Sequence, residues 1–527
     1  MQVKRAFVEV AGRRVHYRVA GSGPPVVLLH GSPANSEVLL SEMAALSPFF
    51  TCYGLDMPGF GDSDPLPQDL IVADLGKAIA AAMEALGLPP CPVYGTHSGA
   101  AVAAELGVGW PERVTGLVMD GFPAFTEAEI AMLFDDYFKP FPPDALGGHL
   151  TSVWIRFRDQ FTWFPWSSRD VTRLNPVDRP TPEDVHRWVM MYYRAQKTHV
   201  PAYRAICRHG QGAIETAKAL KVRAVYLASA EDMLFGHLDR LPALKDGQSI
   251  VRVKYDPPAK FEAIRALIAD MPSAPAASPP PRAMAGSDPG VQFFGAADSQ
   301  IFVRCYGNAR HPAIFLLHDA PGSGLALESL ARKLSRQYYV ILPDLPGNGD
   351  SDAPMEDASI LEAGADAVFR IAAEMGIAQF EVAATGCGCA VAVTAARRRD
   401  PRLRSLFLEA PVAADAKKAA AIVPELHLSA DGGHWIRAWL IARDNQIYKP
   451  WFDGSIASQR RAQGNFNAEW LHRQAFELMK ARLSYHRLAQ EAYGFDCLGA
   501  IAQIGVPVDV LEEGALAAFL LSAPSSA

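Results

Sequence analysis

Short apolar runs bounded by turn residues recur along the chain and alternate with longer windows of helical period. Val26–Leu29, Val114–Met119 and Ala224–Leu227 are too short for helices and have little polar alternation, the pattern of strands buried on both faces. Between such runs lie windows such as Asp74–Leu86, whose apolar positions return at helical spacing. The first residues, MQVKRAFVEVAGRRVHYRV, alternate like a half-exposed strand. The succession predicts an α/β fold: a mostly parallel sheet with helices on both faces.

The pattern occurs twice. PVVLLHGSP at 25–33 returns as PAIFLLHDAP at 312–321, and His30 and His318 stand 288 positions apart. LDMPGFGDSD at 55–64 returns as PDLPGNGDSD at 343–352, again at 288. GGHLTSVWIRFRDQFTWFPW at 147–166 returns as GGHWIRAWLIARDNQIYKPW at 432–451, at 285. Three ordered matches at nearly one offset identify a tandem duplication. The first domain is expected over 1–270, and a Pro/Ala/Ser-rich linker over 271–290, where the composition builds no core. A shorter second copy follows over 291–527, stopping soon after Val508–Leu511.

Composition narrows the class. Half of the 527 residues are hydrophobic, a fifth are charged and the net charge is −7, which fits a globular protein and disfavours nucleic acid or an anionic membrane as partner. The seven cysteines follow no metal-ligand spacing, and the N-terminus has no apolar leader pattern, so a reducing cytoplasm is expected. No apolar run is long enough to span a membrane. Without a phosphate loop, dinucleotide fingerprint or ligand cluster, no cofactor and no metal are expected, and a small molecule is the expected partner. The oligomeric state is not legible.

Three motifs of the first copy carry a resemblance: His30-Gly31-Ser32-Pro33, Asp56-Met57-Pro58-Gly59-Phe60-Gly61-Asp62-Ser63, and Gly95-Thr96-His97-Ser98-Gly99 following a strand. In this order they resemble the α/β-hydrolase superfamily, twice over and across nearly the whole chain. The resemblance implies tandem α/β-hydrolase-type domains, each with a helical cap, at about 125–215 and 414–495. The superfamily holds esterases, epoxide hydrolases, dehalogenases, lyases and inactive relatives, so it implies fold more sharply than chemistry.

The resemblance implies an oxyanion hole at Gly31, Ser32 and Ser98, and a nucleophile elbow in the third motif. In the family spacing the elbow centre falls on His97. A shift by one residue centres it on Ser98, a register the downstream helix supports less well. Asp232, after the strand Val225–Leu227, is the expected acid, and Asp120 at the end of Leu117–Met119 is the alternative. No histidine follows Ile250–Val253, where the family's base would stand, and His237 is the nearest substitute. In the second copy Gly386 falls at the elbow centre, Cys387 only in the shifted register, and Asp319 replaces the glycine of the oxyanion turn.

The cap of the first copy is dense in aromatics and arginine. His149, Trp154, Arg158 and Trp166 are the candidate substrate contacts, although the second copy repeats several of these residues, which also fits cap folding. The favoured function is hydrolysis of a small apolar carbonyl or ester compound by the first domain, with an atypical histidine at the elbow. The alternatives are a catalytically inactive pseudo-hydrolase that binds a ligand or partner, and a cofactor-free lyase-type reaction.

Overall fold

The computed structural model describes residues 1–175, 177–210, 212–254, 256–274, 284, 288–461 and 463–522. Most of the expected linker, 275–283 and 285–287, lies outside the described residues. Two compact units are present: Met1–Phe141 with Ser152–Ala285, and Pro142–Thr151 with Gly286–Ala527.

The first unit is built on eight strands: β1 (Lys4–Val10), β2 (Arg13–Ala20), β3 (Pro25–Leu29), β4 (Thr51–Leu55), β5 (Cys91–Thr96), β6 (Val114–Asp120), β7 (Ala224–Ser229) and β8 (Gln248–Val253). Their order in the sheet is β1-β2-β4-β3-β5-β6-β7-β8. The β1–β2 and β2–β4 pairs are antiparallel and all later pairs are parallel. Every residue of β3 is buried. Val27 and Leu29 pack on one face with the helices Val72–Ala85 and Ser98–Gly109, while Val26 and Leu28 pack on the other against Ile264 and Ile268 of the helix Pro257–Ala269. This two-residue alternation, with each fully buried Val, Leu or Ile contributing roughly 1.5–3 kcal/mol, fixes strand register to the core. Five helices (Glu127–Asp136, Gly148–Thr162, Pro182–Arg194, His199–His209 and Ala213–Ala219) stand between β6 and β7, where the cap is expected.

The second unit repeats the plan with β9 (Gly290–Phe294), β10 (Ile301–Tyr306), β11 (Ala313–Leu317), β12 (Tyr339–Pro343), β13 (Phe380–Thr385), β14 (Leu403–Glu409) and β15 (Val508–Leu511). The order is β9-β10-β12-β11-β13-β14-β15, the first seven positions of the other sheet. Among the described residues no eighth strand follows. No helix of the described residues is long and apolar enough to cross a membrane.

Candidate active site

His97 stands between β5 and the helix Ser98–Gly109 with φ 48° and ψ −109°. Such a conformation is sparsely populated for a residue with a side chain and costs about 1–3 kcal/mol, so it persists only where its surroundings enforce it. Here the His97 N–H donates to the Asp120 carbonyl at 2.8 Å. A Cβ at Gly95 would run into the backbone of Gly99, and one at Gly99 into the Leu29 carbonyl, so the two flanking glycines are a steric demand of this turn. The strained centre of the elbow is therefore His97, and Ser98 begins the helix.

Asp232 Oδ2 lies 2.8 Å from His97 Nε2, while Asp232 Oδ1 accepts from the Leu234 N–H at 2.8 Å. A Cβ on Gly121 would strike Cδ2 and Nε2 of the His97 ring, so a bare glycine makes room for the pair. With Nε2–H donating to the carboxylate, Nδ1 keeps its lone pair. That nitrogen faces the turn at Gly31, 3.9 Å from where a Cβ on that residue would stand. Burial disfavours the imidazolium, but the Asp232 charge and hydrogen bond outweigh it and hold the His97 pKa above its ordinary value. Burial likewise opposes ionisation of Asp232, and the His97 partner overrides it, leaving the Asp232 pKa depressed. His97 remains 36% exposed on the side that opens into a cavity.

The two turns that flank His97 each supply a backbone donor. The Ser32 N–H donates to the Ser98 hydroxyl at 3.2 Å, and the Ser98 N–H, at the first turn of its helix, has no acceptor among the described residues. The second unit shows what such a pair of donors holds. There Asp319, at the position of Gly31, turns its carboxylate inward, and its Oδ1 accepts from Ala320 N–H at 2.8 Å and Cys387 N–H at 2.7 Å. Ala320 and Cys387 match Ser32 and Ser98 in the repeat. Gly386 takes the elbow conformation at φ 54°, and a Cβ there would collide with the Asp319 carboxylate. The Cys387 thiol, the nucleophile of the shifted register, is buried, and burial followed by the Asp319 charge pushes its pKa well up. The second elbow is filled by the Asp319 carboxylate, from the turn after β11.

The other acid candidate, Asp120, does not meet the His97 ring. Its Oδ2 accepts from the Tyr94 hydroxyl at 2.7 Å and pairs with Lys260 Nζ at 2.7 Å. Lys260, from the helix after β8, reaches the same cavity as His97; burial disfavours its charge, and Asp120 more than restores it. Behind it, burial lifts Glu42 to about 7. Lys260 was missed in the sequence, yet Lys260, Ile264 and Ile268 share one helix face at spacing four, and a lysine on a core stripe was the available signal. His237 is engaged away from this pair: its Nδ1 accepts from the Ala124 N–H at 3.1 Å, and burial, then Arg240, pushes it down to about 4.

The cavity, about 350 Å³, runs from His97, Asp232 and Lys260 to a cap wall of Tyr137, Phe161 and Trp188. None of the four cap candidates lines it. Arg158 points to solvent and Trp154 is buried in packing. Trp166 lies against Arg156, 5.5 Å from its guanidinium. His149 belongs to the stretch 142–151, which groups with the second unit, where its Nε2 is 3.1 Å from His472 Nδ1. The cap residues that line the cavity instead include Leu133, Tyr137, Gln160, Phe161 and Trp188.

The family model described as the alpha/beta hydrolase fold matches residues 24–248 and 312–440. A dihydrolipoyllysine-residue acetyltransferase component of the acetoin cleaving system from Cupriavidus necator is 32% identical over 123 residues, 23% of this chain and 33% of that protein. A pimeloyl-(acyl-carrier protein) methyl ester esterase from Shewanella woodyi is 33% identical over 141 residues, 26% of this chain and 50% of that protein. The chain thus spans a third to a half of the length of these curated relatives. Among solved structures, epoxide hydrolase A from Mycobacterium thermoresistibile aligns at 19% identity with a TM-score of 0.40, covering 52% of this chain and all of that one. The matched motifs recur in both halves of the sequence, and the chain belongs to the α/β hydrolase fold family.

Proposed function

We propose that the first unit hydrolyses small, largely apolar carboxylic esters with His97 as the nucleophile. The observation that carries this reading is the His97–Asp232 pair at the strained elbow, with Nδ1 turned toward the Gly31 turn. Asp232 holds Nε2–H and so leaves Nδ1 to attack the ester carbon. The carbonyl oxygen, gaining negative charge, takes the Ser32 and Ser98 N–H groups, displacing the Ser98 hydroxyl from the first. The alcohol departs with a proton from solvent, and the acyl-imidazolium left on His97 is paired with the Asp232 carboxylate. Water then attacks the acyl carbon, gives up a proton to solvent and so balances the one the alkoxide took, and the acid leaves as neutral His97 is restored. An acyl-imidazole is itself an activated acyl donor, so this route needs no further histidine after β8, the position the chain leaves without one.

The test is hydrolysis of short-chain aryl esters by the wild type, His97→Ala and Ser98→Ala, with hydroxylamine trapping of the acyl-enzyme. Activity lost by at least about 10³-fold in His97→Ala, and largely kept in Ser98→Ala, is the expected result. Loss confined to Ser98→Ala would move the nucleophile to the serine. A wild type no faster than His97→Ala would overturn the ester reading and favour a ligand-binding role.

A further inference from the structure

Arg156, on the cap helix Gly148–Thr162, is 3% exposed. Among the described residues no carboxylate pairs with it. Its polar partner is Gln160, whose Oε1 accepts from Nη1 at 2.6 Å, and its guanidinium lies over the rings of Phe157, Trp166 and Tyr137 at 4.3, 5.5 and 5.6 Å. Aromatic faces attract a cation by about 0.5–2 kcal/mol each, but an ion this buried carries a desolvation cost of several kcal/mol that one neutral amide does not cancel. The nearby His199 is neutral, pushed to about 4 by burial, with Arg156 pressing the same way.

Gln160 and Tyr137 also line the cavity, so the guanidinium stands one side chain behind its wall. At the other end Asp232, Glu231 and Lys260 line the cavity, with Asp232 paired to His97 and Lys260 to Asp120. The cation at that end already has its carboxylate, whereas Arg156 has none among the described residues, so an anionic group reaching the cap end gains most there. The repeat supplies an internal control. At the offset of 285, Arg158 and Asp159 match Arg443 and Asp444, whereas Arg156 matches Ile441, in the copy whose elbow is filled. The guanidinium accompanies the open elbow.

We infer that Arg156 and Gln160 form a carboxylate-binding subsite at the cap end of the cavity, so that the substrate is an ester carrying a free carboxylate, anchored at the cap with its ester carbonyl at His97. The carboxylate replaces the Gln160 amide oxygen as acceptor for the guanidinium. The kinetic part of this inference rests on the ester-hydrolysis reading, and the binding part does not.

Two measurements on the full-length protein separate them. The first compares 4-nitrophenyl hemiglutarate with neutral 4-nitrophenyl valerate. The wild type is expected to favour the hemiglutarate in kcat/KM by at least about ten-fold, and Arg156→Met to lose that preference chiefly through KM, with the valerate changed less than about three-fold. The second measures, by calorimetry in a His97→Ala background, binding of unreactive 4-phenylbutyrate and 4-phenylbutanamide. A carboxylate bound at least about ten-fold tighter than the amide, with the difference erased by Arg156→Met and partly kept by Arg156→Lys, supports the subsite even when no ester is turned over. Thermal melting adds a readout a structural role would not give: without ligand, Arg156→Met should melt no lower than the wild type. Equal binding of acid and amide by the His97→Ala protein, or equal loss on both esters in Arg156→Met, overturns the inference. Should Arg156→Met fail to fold, a structural role for the guanidinium gains ground, and the acid-over-amide ratio with Arg156→Lys decides.

Discussion

His97 keeps an unfavourable backbone conformation because its ring is gripped by Asp232 at Nε2 and given space by Gly121. The pairing sets a pH dependence with a definite sign. In the proposed reaction neutral His97 is the reactive form, and its pKa is raised, so kcat/KM should climb with pH through a midpoint above about 6.5, the ordinary histidine value. Asp232→Asn removes the cause of that shift, and the midpoint should move to lower pH while the rate falls about 10²–10⁴-fold. The stability that the pair contributes has the opposite profile. For His97 it is full below about 6.5 and fades as pH rises through the raised pKa; for Asp232, whose pKa is depressed, it is full above about 4 and fades toward acid. Melting temperature against pH for the wild type and His97→Gln should therefore differ most between these limits. The second elbow makes a matching prediction without catalysis. Gly386→Ala should be destabilising, because its Cβ meets the Asp319 carboxylate, and Asp319→Gly should relieve part of the loss, with a coupling of at least about 1 kcal/mol in a denaturation cycle.

Elements, more than residues, decided what the sequence disclosed. The apolar runs at Val26–Leu29, Val114–Met119 and Ala224–Leu227 all lie within strands, and the window Asp74–Leu86 overlaps the helix Val72–Ala85, because buried parallel strands and amphipathic helices write their period directly into the chain. The elbow was legible for a related reason, since close packing allows only small residues at Gly95 and Gly99. The cap was not. Its helix Gly148–Thr162 carries apolar and basic residues around much of its circumference, so nothing local says which face meets the cavity. Arg156 and Arg158 are two residues apart and thus about 200° around the helix, and the inward one was not the one expected. Lys260 left a trace, a lysine in line with Ile264 and Ile268 on one helix face, but nothing local says that this face meets Asp120 and the cavity. The turn after β6 offers a sharp test of how elements place the site. Gly121→Ala puts a methyl group against the His97 ring at a positive φ, and should lower kcat by about 10²-fold or more while costing about 1–3 kcal/mol in stability.

On the scale of the whole molecule, one architecture appears twice with opposite fates at its centre. Both sheets share the strand order of their first seven positions, and both elbows share a positive φ, at His97 in one and Gly386 in the other. Chemistry assigned to the first unit alone should be abolished by His97→Ala and should survive Asp319→Ala within about two-fold, when both variants are assayed as full-length protein with the same aryl ester. The duplication itself was legible because three motifs recur in order at nearly constant spacing. That the second hole would be occupied was not, since a single Gly-to-Asp difference says nothing about which way a carboxylate turns.

That occupied hole amounts to a cast of the end state of the proposed hydrolysis. A carboxylate oxygen resting on the Ala320 and Cys387 N–H groups is what the released acid would leave on Ser32 and Ser98. Donors proposed to stabilise a fleeting oxyanion therefore also suit a lasting one, and the acid formed in the proposed reaction should linger as a competitive inhibitor. Progress curves should bend early, added acid should reproduce the slowing, and the matching amide should not. How fast the enzyme turns over would then depend on letting go.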